Sequence, residues 1–278
     1  MRREDTAESL LAACSARLDT DACPQGTAFF VAPGYAITAA HVISDADGLQ
    51  VQLVEGLHSW HGHVADVRPL HANKIATTSP YSAPDIALIE VDDGPEHACA
   101  LLSMQLPGAG ARVMARGYTR TFDQLAVTAE TETFRLTGTL ETLDRDCKLL
   151  KLGLGEVTKG MSGAPVLDLS TGDVIGMLRT SRKLGSNLGG WLVPADSIRL
   201  LWPDEVGLGN DRFHERDPRW HEGTRQLRGP SAAKEGPSAQ GGFSIEGDVV
   251  SVITGGNVGS VNIEYGRGSG RRDGSGTR

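Results

Sequence analysis

The fold is decided by residues 26–41, which read GTAFFVAPGYAITAAH. Two runs of apolar and β-branched residues stand on either side of Pro33 and Gly34, the pattern of two strands joined by a tight turn. The second run leads directly to His41, so a strand pair would deliver a histidine at its end. An imidazole changes its charge near neutral pH, which makes His41 a candidate general base.

Short apolar runs of the same kind continue to about residue 203, and Gly, Pro, Asn or Asp separate them. Strands of this length at such spacing predict an all-β sandwich or barrel. Pro194 can start a short terminal helix whose apolar face includes Ile198 and Leu201. The runs are residues 27–31, 36–43, 49–54, 64–67, 86–91, 111–116, 149–154, 174–179 and 191–193.

Two further motifs follow the histidine in the chain. Residues 84–89 read PDIALI, where Asp85 opens a buried strand, and residues 159–166 read KGMSGAPV, where glycines flank Ser162 in a tight loop. A gap of 44 residues separates His41 from Asp85, and 77 residues separate Asp85 from Ser162. These gaps leave room for one β-barrel to close and a second to begin.

Together the three motifs resemble those of the chymotrypsin- and trypsin-like serine peptidases, especially the bacterial branches related to HtrA and the glutamyl endopeptidases. The resemblance covers about residues 24–203. It implies two six-stranded antiparallel β-barrels with a cleft between them. In that family the histidine motif carries the general base, the D-I-A-L motif the orienting acid and G-x-S-G-x-P the nucleophile. The matching residues are His41, Asp85 and Ser162, in the chain order of this clan.

The resemblance implies hydrolysis of peptide bonds in protein or peptide substrates, without a cofactor. A serine hydroxyl is a weak nucleophile until a neighbouring base takes its proton, the role expected of His41. Asp85 would fix the tautomer of the imidazole and stabilise its protonated form. The backbone amides of Gly160 and Ser162 would form the oxyanion hole, where one donor typically contributes about 10²–10³ in rate.

The sequence departs from the secreted digestive branch of the family at two positions. Val42 and Met161 stand where those enzymes have a cysteine after the histidine and an aspartate before the serine. That aspartate receives a newly cut N-terminus. The departure therefore predicts that N-terminal clipping does not activate this protein.

For substrate preference, the sequence offers only candidate substrate-binding residues. Ungapped counting from Ser162 puts Glu156 where trypsins carry the acid of their primary pocket, which would favour an arginine or lysine side chain. The alternative is that Glu156 is a solvated loop residue. The strand at 176–181 resembles the one that pairs with the substrate backbone, so Arg179, Thr180 and Ser181 are candidate wall residues.

Composition argues against other classes of function. The net charge of −8 does not suit a nucleic-acid partner, and no apolar run approaches the length of about 20 residues that spans a bilayer. Glu4, Asp5 and Glu8 interrupt the start of the chain, so no secretory signal is expected. We therefore expect a cytoplasmic protein that does not contact membranes.

Cysteines and histidines give weaker signals. Cys14, Cys23, Cys99 and Cys147 form no C-x-x-C pair, so zinc and redox motifs are unsupported. A disulfide between Cys14 and Cys23 is conceivable, but free thiols are expected in a cytoplasmic chain. Three histidines share a short segment that is better explained as an exposed strand than as a zinc site. They are His58, His61 and His63.

The composition changes near residue 203, and the segment 243–265 has β-branched residues on both sides of a Gly-Gly-Asn turn, a β-hairpin pattern. An isolated hairpin is marginal in water, so it would dock on its own barrel, another copy or a regulatory protein. Two alternatives stay open: a catalytically silent binding or regulatory module, and a protease whose hairpin occupies its own cleft. The predicted segments are an N-terminal helical extension at 1–23, a peptidase domain at 24–203 with barrels at about 24–95 and 96–203, a polar linker at 204–242, the hairpin at 243–265 and a flexible Gly/Ser-rich end at 266–278.

Overall fold

The chain forms two closed antiparallel β-barrels of six strands each, as the motifs predict. The predicted hairpin at 243–265 and the end at 266–278 lie outside the described residues. Within the described ranges, no helix combines the length and apolar character needed to cross a membrane. The computed structural model describes residues 2–20, 23–43, 49–68, 84–93, 96–120, 127–141, 148–182 and 185–228.

Barrel one has the strand order β1-β2-β3-β6-β5-β4. Large apolar side chains such as Phe29, Ile37 and Ile89 are fully buried in its core. They come from strands in which apolar residues alternate or run together, the pattern of a strand with a buried face. The strands are β1 (Ser15–Thr20), β2 (Cys23–Ala32), β3 (Tyr35–Ala39), β4 (Gln50–Glu55), β5 (His58–Arg68) and β6 (Ile86–Asp93).

Barrel two has the strand order β10-β11-β12-β9-β8-β7. Phe134, Leu150 and Leu152 are among the side chains in its core, and Met161 is buried with them. The position before Ser162 is therefore part of the hydrophobic core. The strands are β7 (Arg112–Arg120), β8 (Val127–Glu141), β9 (Lys148–Gly153), β10 (Pro165–Asp168), β11 (Val174–Ser181) and β12 (Gly190–Pro194).

The N-terminal helix is shorter than the predicted helical extension at 1–23. Helix α1 spans Arg3–Cys14, and β1 then pairs with β2 and β4 to close barrel one. The predicted start of the barrel at residue 24 is therefore too late. Arg17 and Asp19 make the sequence of β1 look too polar for a barrel strand. Arg17 Nε donates to Asp19 Oδ1 at 2.7 Å, so the buried carboxylate has a hydrogen-bond partner.

The predicted polar linker is wrong over residues 204–228, which are helical except at 217–218. Few of their residues are apolar, but Val206, Trp220 and Leu227 are buried in a core cluster that also contains residues of α1 and of both barrels. Asn210 Nδ2 also donates to the carbonyl oxygens of Val31 and Ala100, both at 2.6 Å. The helices are α2 (Ala40–Ile43), α3 (Ala195–Leu201), where the sequence predicts one, a π-helical turn (Pro203–Leu208), α4 (Gly209–Arg216) and α5 (Arg219–Arg228).

Candidate active site

Strand pairing brings His41 and Asp85 together. In the β3–β6 ladder Ala39 lies opposite Ile86, so the residues just beyond these two strand ends are neighbours. The amide of Ala40 donates to the carbonyl oxygen of Asp85 at 3.1 Å. The first two sequence motifs therefore meet at one edge of barrel one.

The carboxylate of Asp85 holds His41 at two points. His41 Nδ1 lies 2.9 Å from Asp85 Oδ2, and the His41 amide donates to Oδ1 at 3.0 Å. A carboxylate only accepts, so Nδ1 carries the proton of this bond. Asp85 is buried, with 2% of its side chain exposed, whereas 20% of the His41 side chain is exposed. The other ring nitrogen, Nε2, lies on the side of the imidazole that faces away from Asp85.

Ser162 lies in a tight loop between β9 and β10. The amides of Met161 and Ala164 donate within this loop, and the amide of Gly163 donates to the carbonyl oxygen of Leu178 at 2.8 Å. In the part of the chain that the structure describes, the amides of Gly160 and Ser162 donate to no protein acceptor. These two amides are therefore available to a substrate oxygen.

The loop requires glycine on both sides of the serine. Gly160 has φ +104° and Gly163 has φ +89°, conformations that residues with a Cβ rarely adopt. A Cβ on Gly160 would collide with the carbonyl oxygen of Tyr118, and one on Gly163 with that of Thr27. The glycines of the third motif are thus needed for backbone shape.

Thr27 of barrel one anchors the Ser162 loop. Its amide donates to the carbonyl oxygen of Ser162 at 3.1 Å, and its hydroxyl donates to that of Gly160 at 2.8 Å. Thr27 is fully buried, yet sequence reasoning treated it as an ordinary strand residue. A hydroxyl at a fully buried position of an apolar strand was the signal that could have identified it, because such a group needs hydrogen-bond partners.

The three motifs therefore converge at the junction of the barrels. A Cβ placed on Gly26 would lie 2.9 Å from Val42 Cγ1 and 3.2 Å from the Ser162 carbonyl oxygen, so the residue after His41 and the backbone of Ser162 face the same point. Among the described residues, the Ser162 hydroxyl makes no hydrogen bond to the imidazole. Catalytic hydrogen bonds are often long in unliganded enzymes and shorten when substrate binds.

The candidate specificity residue Glu156 is exposed and lies beside Glu132 of β8. Its amide donates to Glu132 Oε1 at 3.3 Å. Burial raises the pKa of the Glu132 carboxyl, and the nearby carboxylates of Glu130 and Glu156 act in the same direction. Carboxylates thus gather at this edge of barrel two, and the predicted preference for a basic side chain stays a prediction.

All three candidate wall residues are partly exposed at the end of β11. Thr180 pairs with Trp191 and Ser181 with Gly190 in the β11–β12 ladder. Arg179 differs, because its Nε donates to Asp85 Oδ2 at 3.1 Å and only 11% of its side chain is exposed. The structure places Arg179 beside the candidate acid, a position that the wall assignment did not anticipate.

The histidines of β5 have acidic neighbours that the sequence did not reveal. His63 Nδ1 lies 3.1 Å from Asp92 Oδ1, and its Nε2 lies 3.8 Å from Glu90 Oε2, because β6 pairs alongside. His58 and His61 are exposed on the same strand. In the described residues, no three His, Cys, Asp or Glu side chains come together as metal ligands.

The described cysteine thiols are reduced. Cys14 and Cys99 are free and buried. Burial raises the pKa of the Cys14 thiol to about 12, so it stays protonated and unreactive at neutral pH. The Cys14 thiol is thus free, as expected, and Cys147 lies outside the described residues.

Comparison with known proteins agrees with the two-barrel fold. The family model of the trypsin-like peptidase domain matches residues 26–177, a span that includes His41, Asp85 and Ser162. None of the curated proteins matches the sequence. The crystal structure of an inactive form of the Rv3671c protein of M. tuberculosis H37Rv is similar, with 17% sequence identity, a TM-score of 0.53 and coverage of 73% of this chain and 90% of that chain. The active form of the Rv3671c protease has 19% identity, a TM-score of 0.52 and coverage of 72% and 84%, respectively. At this level of identity the likeness concerns the fold.

Proposed function

The chain belongs to the trypsin-like peptidase domain family, and from this premise we propose that it is a serine endopeptidase. Its catalytic residues would be His41, Asp85 and Ser162. The observation that carries the proposal is the 2.9 Å contact between His41 Nδ1 and Asp85 Oδ2, next to a glycine-flanked serine loop that is anchored to barrel one.

The reaction is acyl transfer to Ser162. His41 Nε2 takes the proton from the serine hydroxyl as it attacks the peptide carbonyl, and Asp85 stabilises the imidazolium that results. The amides of Gly160 and Ser162 donate to the developing oxyanion, each contributing about 10²–10³ in rate. His41 then protonates the leaving amine, and water hydrolyses the acyl-enzyme.

Within the family we propose the bacterial branch related to HtrA and the glutamyl endopeptidases. The buried Met161 supports this, because the position offers no carboxylate to a newly cut N-terminus. We also propose a cytoplasmic location for the protein. The free thiols of Cys14 and Cys99 are typical of a reducing compartment, where disulfides are rare.

The substrate preference that we propose is for arginine or lysine before the cleaved bond. The carboxylates of Glu156 and Glu132 at this edge of barrel two support it, because carboxylates bind cations through charge-assisted hydrogen bonds, whereas the exposure of Glu156 favours the alternative of a solvated loop residue. A peptide library profiles this directly, and the change Glu156→Gln should weaken cleavage after basic residues. Cleavage after small apolar residues would contradict the preference.

Control by the C-terminal segment is a further part of the proposal. A protease with a preformed site needs restraint inside a cell, and the hairpin pattern at 243–265 offers a segment for self-inhibition or for a regulatory partner. The truncation that tests this ends at Arg228, because Trp220 and Leu227 belong to the core of the folded part. Unchanged turnover of residues 1–228 would exclude self-inhibition.

A fluorophosphonate probe tests the function itself. We expect covalent labelling of the purified full-length protein, loss of labelling in Ser162→Ala, and normal labelling in the control Ser103→Ala, whose exposed hydroxyl donates to Gln105. Equal labelling of Ser162→Ala would assign the reactivity to another residue and refute the proposal.

The alternative is a catalytically silent module that uses the barrels to hold a peptide or a partner. One observation favours it: within the described residues, the hydroxyl of Ser162 makes no hydrogen bond to His41. Absence of labelling in both the full-length protein and residues 1–228 would support this alternative, whereas labelling of the truncated form alone would indicate self-inhibition.

A further inference from the structure

A β-bulge in β11 directs the Arg179 side chain out of the regular ladder. Leu178 lies opposite Leu192, but the next pair is Thr180 with Trp191, so Arg179 is an extra residue with no counterpart on β12. Such a bulge bends the strand and redirects the side chain of the extra residue, and bulges are frequent beside active sites. The guanidinium of Arg179 consequently reaches from barrel two to barrel one.

The target of Arg179 is the carboxylate that holds His41. Arg179 Nε donates to Asp85 Oδ2 at 3.1 Å, the same oxygen that lies 2.9 Å from His41 Nδ1. The carboxylate is 2% exposed and the arginine side chain 11% exposed. A buried carboxylate needs a counter-charge, which a neutral imidazole does not supply. Arg179 supplies that charge before the imidazole is protonated.

The backbone next to Arg179 is bonded to the serine loop. The amide of Leu178 donates to the Ala164 carbonyl oxygen at 2.7 Å, and the Leu178 carbonyl oxygen accepts from the Gly163 amide at 2.8 Å. Gly163 and Ala164 directly follow Ser162. A continuous set of contacts therefore runs from the serine loop through Leu178 and Arg179 to Asp85 and the imidazole.

From these contacts we infer that Arg179 is a positioning residue. It fixes the Asp85 carboxylate against His41 and keeps these two residues in the correct position relative to the Ser162 loop. The inference rests on the proposed peptidase function. Asp85 has φ +62°, a left-handed conformation that aspartate adopts more readily than most residues with a Cβ. The bidentate shape of a guanidinium and its fixed charge suit it to this role.

Kinetics of Arg179 variants test the inference. In Arg179→Ala we expect kcat to fall by about 10–100-fold at nearly constant KM, because small misplacement of catalytic groups has effects of this size. Arg179→Lys keeps the charge without the planar donor, so its kcat should lie between those of the wild type and Arg179→Ala. The matched control is Arg112→Ala, which removes an exposed guanidinium that pairs with Glu4 at 3.2 Å and should leave kcat unchanged.

Chemical rescue distinguishes positioning from a general loss of structure. Ethylguanidinium added to Arg179→Ala should restore activity in a saturable manner, because it can occupy the space and contact Asp85. It should have no effect on Arg112→Ala. Absence of rescue in a folded variant, an unchanged kcat, or a loss confined to KM with altered peptide preference would each overturn the inference, the last in favour of the wall role.

Nuclear magnetic resonance gives a readout that does not require catalysis. In protein labelled with ¹⁵N-histidine, the Nδ1 proton of His41 should be protected from exchange by the bond to Asp85. We expect that signal to be lost in Arg179→Ala and retained in Arg112→Ala. Failure of the proposed function would appear in the wild-type protein, as absent labelling and hydrolysis. Failure of the inference would appear as a retained proton signal in Arg179→Ala.

Discussion

The two barrels hold their parts of the candidate site in different ways. Barrel one fixes His41 and Asp85 through side-chain hydrogen bonds to a buried carboxylate. Barrel two fixes Ser162 through the backbone, with Gly160 and Gly163 at positive φ and packed against carbonyl oxygens. One half of the site therefore depends on charge and hydrogen-bonding capacity, and the other on the absence of side-chain volume.

This difference predicts which substitutions each half tolerates. At Asp85 a replacement of equal shape should preserve the fold and remove the chemistry. At Gly163 a replacement without charge should disturb the fold because even a methyl group has no space. Substitutions that change only charge or only volume can therefore test the comparison.

The largest effect on activity is expected from Asp85→Asn. Asparagine tolerates the positive φ of this position, so the backbone should be retained. Its amide cannot accept as a carboxylate does from His41 Nδ1 and Arg179 Nε. We expect kcat for peptide hydrolysis to fall by about 10⁴-fold, the size found when the orienting acid of such a triad is neutralised.

A second Asp–His pair in barrel one provides the matched control for this change. Asp92→Asn alters an exposed carboxylate whose Oδ1 lies 3.1 Å from His63 Nδ1, and it should leave kcat unchanged. Urea denaturation should show that both variants are folded, with a free energy of unfolding close to that of the wild type for Asp92→Asn and a lower one for Asp85→Asn, because Arg179 then loses its counter-charge. Full activity of Asp85→Asn would refute the role of charge in barrel one.

A smaller effect, on stability, is expected from Gly163→Ala. The change combines a left-handed conformation, which costs about 1–2 kcal/mol, with a collision against Thr27 that costs about 1–3 kcal/mol more. The control is Gly110→Ala in the turn just before β7, where φ is +88° but a Cβ would meet nothing within 4 Å. Urea denaturation should therefore show a larger loss for Gly163→Ala, and equal losses would contradict the role of volume.

Apolar runs located nine of the twelve described strands, all but β1, β8 and β10, and the family resemblance of the three motifs implied the two barrels and the residues that converge between them. Strands such as β2 and β6 are short apolar runs bounded by turn residues, so hydrophobic periodicity identifies them directly. The motifs around His41, Asp85 and Ser162 are local in sequence. Each could therefore be located without knowing what it contacts.

Features that depend on distant pairing were missed. The segment that forms β1 and the helices α4 and α5 are mostly polar, and only their partners reveal which few side chains are buried, as with Trp220. The contact of Arg179 with Asp85 depends on a one-residue register shift in the β11–β12 ladder. Thr27 is important because of what barrel two places against it. Single-sequence patterns carry no signal for register or for contacts between barrels.

The smallest predicted effect is a loss of stability at acidic pH, and it should arise from histidines on the side of barrel one. Barrel two, residues 112–194, contains no histidine. On the other side, burial lowers the pKa of His214 in α4 and of His97, whose ring stacks on Phe30 at 3.8 Å. In the unfolded chain both imidazoles regain a pKa of about 6.5.

Below that pH the unfolded state binds more protons than the folded state, so the free energy of unfolding should decrease as the pH falls through about 6.5. The loss is about 1.4 kcal/mol for each unit by which the pKa of a histidine is lowered. Urea denaturation at several pH values measures it. His214→Phe should reduce this pH dependence, because the buried ring then has no proton to bind, whereas the exposed His61→Gln should leave it unchanged. A pH dependence of His214→Phe identical to that of the wild type would mean that His214 is not a source of the acid sensitivity on the side of barrel one.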